Sequence, residues 1–439
     1  MKVKSLLLSV LFVVGISTVN AQDKTPLTLD EAIHIALTKS TEAQLADTKV
    51  STKQYELQAA KNNLYPNLKL SGQYQRLTNA DVNFKLGNSD SEGGTTAPKV
   101  NQLMLGQASL SYPLFAGLKI QNSIKTSDYL YQAEGFNAAQ TKQELAVQVV
   151  MGYVNLYKAQ QSVALIQENI KSSAQRVNDF TAMEQNGLIA RNDLLKAKLQ
   201  VSNFQVALDE AKKNVSVINF QLITLLKLPT STQIIPNEGM FDKNMFGNVT
   251  TTEQDAIENR SDLGAIRLQQ KASETNIKIA KSAYYPSLSL VGGYAAIDLQ
   301  NVMRVTNAIN FGVGLSYDLT SIFKNGKEVK VATSKAQETE HAVELLTDNV
   351  KVQVQQAKEN YDLSLKQNDV YVEARAQAEE NYRIVKDKYE NGLSDTNDLL
   401  EADVEQLQAK INQAYAKANI TQRQYELLAA SGKLTQSIK

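Results

Sequence analysis

The 439-residue chain carries 46 basic and 46 acidic side chains, so no bulk charge points to nucleic acid, and no basic stripe does either. It has no cysteine, which excludes disulfides, thiolate metal sites and acylation at an N-terminal cysteine. The two histidines, His34 and His341, are too isolated for a metal cluster and read as helix-surface residues.

Residues 1–21 have the form of a signal peptide. Lys2 and Lys4 precede an apolar run, Leu6 to Ile16, and Val19-Asn20-Ala21 offers a cleavage site that leaves Gln22 first. An exported chain is expected. No later run reaches ~18 unbroken apolar residues, so a membrane span has to be built from strands.

Proline sets the architecture. It occurs only at positions 26, 66, 98, 113, 229, 236 and 286, and the long gaps between are rich in helix formers. Residues 22–227 read as one unit: a helix over 28–64, strands at 67–77 and 100–114, and a long helix over 119–184. A tip at 185–192 and a shorter helix over 192–227 complete it. A polar connector covers 228–250. Residues 251–430 repeat the order: a helix over 251–284, strands at 287–299 and 308–319, a long helix over 326–390, a tip at 390–397 and a helix over 397–430. A tail covers 431–439.

The two units read as an internal duplication. Leu64-Tyr65-Pro66 returns as Tyr284-Tyr285-Pro286. Leu110-Ser111-Tyr112 returns 205 residues on as Leu315-Ser316-Tyr317, and the tip glycines Gly187 and Gly392 are also 205 apart. The two arms from strand to tip are therefore equal. In each tip Asn-Gly tolerates a turn, and Asn192-Asp193 or Asn397-Asp398 reads as the oxygen-bearing cap of the next helix.

Helices of about 65 residues extend roughly 100 Å, and those of about 35 residues roughly 50 Å. Their apolar stripes are narrow. Val149, Tyr153, Leu156, Val163, Ile166 and Ile170 form one, and Val343, Leu346, Val350, Val354, Tyr361 and Leu365 the other. Such seams are expected to be coiled-coil-like rather than deeply buried, with the other faces wet. The strands alternate. Leu68, Leu70 and Tyr74 oppose Lys69, Ser71 and Gln73, while Phe311, Val313 and Leu315 oppose Gly312, Gly314 and Ser316. Segments of about ten residues, apolar outside and small or polar inside, are the pattern of a transmembrane β-barrel. Tyr65, Tyr112, Tyr285 and Tyr317 sit where interface anchors belong. Four strands cannot close a barrel, because the smallest hold about eight. Several chains must share one, and three would give twelve strands above twelve helical columns; two or four chains are not excluded.

The ordered set of these features resembles the TolC-like outer-membrane efflux protein family across essentially the whole mature chain. The resemblance rests on the duplication, the Tyr-Pro steps into strands, and the Gly-Leu tips followed by Asn-Asp-Leu-Leu. It implies a mainly α fold with a β-barrel part: long helical hairpins forming a periplasmic α-barrel, and four strands per chain in a trimeric barrel in the outer membrane of a Gram-negative bacterium. It implies a passive exit duct rather than an enzyme, with no cofactor and no nucleic-acid partner. Its implied partners are two further copies of the chain, outer-membrane lipid, a periplasmic adaptor and an inner-membrane pump of RND, ABC or MFS type.

Carried over by position, Asp398 and Glu401 stand six and nine residues after the second tip glycine, where members place gate carboxylates. Helix-start acids are favoured there in any case by the dipole. Tyr389 and Asp193 match positions that help to lock the tip. Ser394 stands where some members carry an arginine, so that salt bridge is lost unless Arg191 substitutes. Gly187, Leu188, Gly392, Leu393 and Ser394 are the candidates for adaptor contact, although turn chemistry alone accounts for the glycines. A secreted coiled-coil structural protein without transport activity is the main competing reading. An adaptor, which resembles a single hairpin set in small β domains, fits less well, and no nucleophile–base or phosphate-loop arrangement supports an enzyme.

Overall fold

A computed structural model describes residues 24–81, 99–241 and 251–434. The signal segment, most of the 81–99 link and the end of the connector lie outside these residues.

Chain order is β1 (Lys24–Leu27), α1 (Leu29–Lys39), α2 (Thr41–Asn62), β2 (Asn67–Asp81), β3 (Lys99–Ala116), α3 (Lys119–Gln185), α4 (Arg191–Leu225), β4 (Gln233–Pro236), α5 (Glu253–Asn259), α6 (Ser261–Lys281), β5 (Ser287–Leu299), β6 (Met303–Ser316), α7 (Ser321–Glu390) and α8 (Thr396–Ala430). The molecule is mostly helical with one antiparallel sheet. Among the described residues no helix is long and apolar enough to cross a membrane.

The long helices run 67 and 70 residues, roughly 100 Å each. Nothing in them breaks the hydrogen-bond ladder, since both lack proline. The structure corrects the two first helices of the units. Each is broken in two, at Ser40 and at Arg260, where the backbone is extended. Ser40 restarts the helix by accepting a hydrogen bond from the Ala43 N–H at 3.1 Å. At Arg260 no side chain caps the restart, and the turn after α8 packs closely on the break: a Cβ at Gly432 would lie 2.8 Å from the Asn259 carbonyl carbon.

The polar connector holds a strand that the sequence reading did not assign. β4 pairs in parallel with β1, from Lys24↔Gln233 to Leu27↔Pro236. Tyr153 of α3 binds this pair: its hydroxyl donates to the Leu27 carbonyl at 2.6 Å and accepts from the Asn237 N–H at 2.8 Å. Around it lies the largest core, which includes Leu29, Ile33, Val149, Leu156, Leu222 and Tyr425. Val149, Tyr153 and Leu156 are therefore fully buried rather than part of a shallow seam. The expectation failed because α1, α4 and the small sheet all converge at mid-height.

The large sheet has the order β2-β3-β5-β6, all antiparallel. Its fourth strand starts at Met303, five residues before the expected 308, and ends at Ser316, so Tyr317 and Leu319 lie beyond it. Paired residues share a face, and the register stacks one apolar face across all four strands: Leu70↔Ala108, Ala108↔Tyr294 and Tyr294↔Ile309, with Leu110↔Gly292 and Gly292↔Phe311 beside it. That face has no cover. Leu70 is 84% exposed and Phe311 92%. Strands of 13 to 18 residues exceed the ~9–11 that a tilted membrane strand needs. β2 and β6 each keep one unpaired edge.

Candidate functional site at the helical tips

Both long helices end in the same way. Asn186 and Asn391 are the C-caps, and Gly187 and Gly392 follow with φ of 72° and 71°. The next N–H reaches five residues back: Leu188 to the Met183 carbonyl, Leu393 to the Lys388 carbonyl, both at 2.8 Å. This double closure satisfies the orphan carbonyls, and glycine takes the left-handed position without strain. Asn186 and Asn391 cap another carbonyl each, at 2.7 Å on Ala182 and Asp387. Leu188 and Leu393 are left 71% and 77% exposed. Turn geometry requires the glycines; it does not require these leucines.

The helix starts differ from expectation. α4 begins at Arg191 with Ala190 before it and no side-chain cap. In α8 the cap is Asp395, which accepts from the Asn397 and Asp398 N–H groups at 2.7 and 3.0 Å. The Asn-Asp pairs lie inside the first turns. There they link the two hairpins: Lys196 stands 3.9 Å from Asp193 and donates to Asn397 at 2.9 Å. Ser394 donates to Asp398 at 2.7 Å. Among the described residues Arg191 makes no ion pair.

Leu399, Ala402, Asp403 and Leu407 form the buried stripe of α8. Opposite them Asp398 and Glu401 are exposed, and so is Glu405, one turn further on. The acidic stripe is thus longer than the two carboxylates expected from position alone; the spacing of three and four residues was the available signal. Tyr389 lies apart from this stripe. Its ring stacks on Phe180 with centroids 5.5 Å apart, in a core with Leu194 and Leu399. Its buried hydroxyl has no hydrogen-bond partner among the described residues.

One group was missed altogether. About two turns above the tip, Asp403 is buried, its side chain 3% exposed. It accepts from Arg176 at 3.0 Å, Asn169 at 3.2 Å, Ser173 at 3.2 Å and Gln200 at 3.4 Å. Arg176 also donates to the Tyr382 hydroxyl at 2.8 Å. Burial works to lower the Arg176 pKa, but the hydrogen bond and charge of Asp403 outweigh it and raise it. The network draws on α3, α4, α7 and α8, so it fastens one hairpin to the other. His34 and His341 are exposed on helices, as expected.

A tip of this construction, an apolar open-edged sheet at the far end and 100 Å helices between make up one combined architecture. The sequence profile described as "Outer membrane efflux protein" matches residues 32–226 and 253–433. The chain belongs to the outer membrane efflux protein family. It is 20% identical over 345 residues to the outer membrane efflux protein BepC of Brucella suis biovar 1 (strain 1330), covering 78% of this chain and 73% of that one. It is 26% identical over 307 residues to Nodulation protein T of Rhizobium leguminosarum bv. viciae, covering 68% of this chain and 62% of that protein. Among solved structures, the CmeC outer membrane channel of Campylobacter jejuni superposes with a TM-score of 0.78 at 16% identity, covering 92% of this chain and 86% of that one. The open-state MtrE outer membrane channel of Neisseria gonorrhoeae gives 0.75 at 20% identity, covering 92% and 89%. As an outer membrane efflux protein the chain resides in the outer membrane and extends into the periplasm. Family and structural neighbours are channels, not enzymes.

Proposed function

We propose that this chain is one third of a passive exit duct, which takes substrates from a periplasmic adaptor and an inner-membrane pump and releases them outside. The observation that carries this reading is the sheet. Its apolar face is exposed on all four strands and both edges are open, a combination that soluble proteins rarely leave uncovered. Lipid covers the face, and neighbouring copies cover the edges. Three copies give twelve strands, above the minimum of about eight for a membrane barrel. The similar element order of the two halves supports reading them as repeats, so that six long helices and six stacked columns form the periplasmic wall.

At the narrow end the exposed carboxylates of Asp398 and Glu401 from three chains form a ring that favours cations and resists anions. Ser394 holds Asp398 in place from the same chain. Asp193, through Lys196 and Asn397, and Tyr389, through Phe180, restrain the tip. Leu188 and Leu393 are the adaptor contacts, their apolar side chains seating between helices of a partner hairpin, with Gly187, Gly392 and Ser394 shaping the contact.

Single-channel conductance in a planar bilayer tests the reading. Wild type is expected to give discrete conductance with a cation preference, and Asp398→Asn/Glu401→Gln to weaken that preference. Conductance unchanged by the substitutions keeps the duct and removes the ring. No conductance from either protein removes the duct.

A further inference from the structure

Overall the chain balances its charges, but the strand–helix junctions do not. Residues 60–66, 117–125, 278–286 and 317–330 hold eight lysines and only two carboxylates, Asp318 and Glu328. Lys61 lies in the last turn of α2, Lys281 ends α6, Lys119 opens α3, and Lys324, Lys327 and Lys330 fall in the first turns of α7. All are exposed. Among the described residues none of them lies in an ion pair. Asp318 is occupied at the head of α7, where it accepts from the Thr320 N–H at 2.9 Å.

The same level carries apolar side chains in the open. Phe323 is 87% exposed, Tyr65 68%, Leu319 64% and Tyr285 58%. Lys327 and Lys330 follow Phe323 by four and seven residues, so all three share one face of α7. An exposed phenylalanine one helical turn beyond an apolar sheet belongs against lipid. The lysines on its face then stand at headgroup depth, with their alkyl stems beside the acyl boundary.

We propose that this collar binds anionic phospholipid headgroups of the leaflet nearest the helices, with Lys327 and Lys330 as its main contacts. The choice of ligand follows from charge complementarity and from continuity with the apolar face of the sheet. The collar would set the depth of the barrel in the membrane and hold a shell of acidic lipid where the duct leaves it. The inference rests on reading the sheet as a membrane barrel.

The test uses the full-length protein reconstituted in vesicles of phosphatidylcholine and phosphatidylglycerol, with spin-labelled lipid of each kind in turn. The fraction of label immobilised by the protein is measured. Wild type should immobilise phosphatidylglycerol in preference to phosphatidylcholine. Lys327→Gln/Lys330→Gln should lower that preference at least about threefold at low salt, and Lys327→Arg/Lys330→Arg should retain it. The Lys212→Gln/Lys213→Gln pair on α4 should leave it unchanged. A preference unaltered by the glutamine pair at the collar overturns the proposal. So does a changed channel conductance in that variant without a changed lipid preference, because the lysines would then face the lumen. Loss of the preference on adding inorganic phosphate at constant ionic strength would reassign the site to free phosphate. If neither lipid is immobilised by wild type, the barrel reading itself falls.

Discussion

At the scale of single residues, the tips separate what the fold needs from what it leaves spare. A Cβ at Gly392 would meet nothing within 4 Å, so Gly392→Ala costs only the left-handed backbone, about 1 kcal/mol. Leu393→Ser should cost still less, since the side chain is 77% exposed. If adaptor contact is its role, Leu393→Ser weakens adaptor pull-down while the thermal unfolding of the helices is unchanged. If Gly392→Ala weakens it equally, the turn and not the leucine is what the adaptor reads. Asp403 is the opposite case. Asp403→Ala leaves the Arg176 guanidinium buried without its carboxylate and should destabilise the tip by roughly 3–5 kcal/mol. Arg176→Met/Asp403→Leu should recover most of this. Hydrogen exchange near the tip checks both; faster exchange confined to residues 176–185 and 396–407 is expected in the single variant, and a single variant as protected as wild type contradicts it.

At the scale of elements, legibility followed the range of the forces involved. The long helices could be read because proline is absent from α3 and α7 and the apolar period is regular. The strands could be read because alternation is a local pattern. The β1–β4 pair could not, because Lys24 finds its partner Gln233 across most of the first half of the chain. The break at Ser40 left a trace, a serine placed to cap the start of α2; the break at Arg260 did not, since no capping side chain stands there. The exposed acids of the tip were legible by position, with Glu405 overlooked. The Asp403 network was not, because its partners come from four helices and no motif links them. α5 offers a test at this scale. Thr252 caps it, Asp255 closes the capping box, and the Thr252 N–H, with a lesser contribution from Lys433 at 3.0 Å, holds the Asp255 pKa down to about 2. A lowered folded pKa means stabilisation present above the usual carboxylate range and lost as pH falls toward 2. The melting temperatures of wild type and Asp255→Asn should therefore differ near neutral pH and converge in acid; a constant gap would contradict this.

At the scale of the whole molecule, stability is distributed unevenly along the axis. The mid-height core around Tyr153 and Leu156 is complete within one chain, and the tip core around Phe180 and Leu399 is as well. The sheet is incomplete, with an apolar face, two bare edges and no core of its own. One end of the chain is finished when it folds, and on the proposed shared-barrel reading the other is finished only by neighbouring copies. That reading lets the unevenness order the protein's biogenesis. A freshly exported subunit carries a sticky, aggregation-prone end through an aqueous compartment, while its helical end is already folded. In the proposed trimer, subunits that first recognise one another through finished helices bring their strands together at high local concentration. Closing the barrel and entering the bilayer then become a single cooperative event. On this view the helical shaft serves as assembly jig before it serves as wall, and damage to its mid-height core would appear first as subunits lost on the way to the membrane rather than as leaky channels within it.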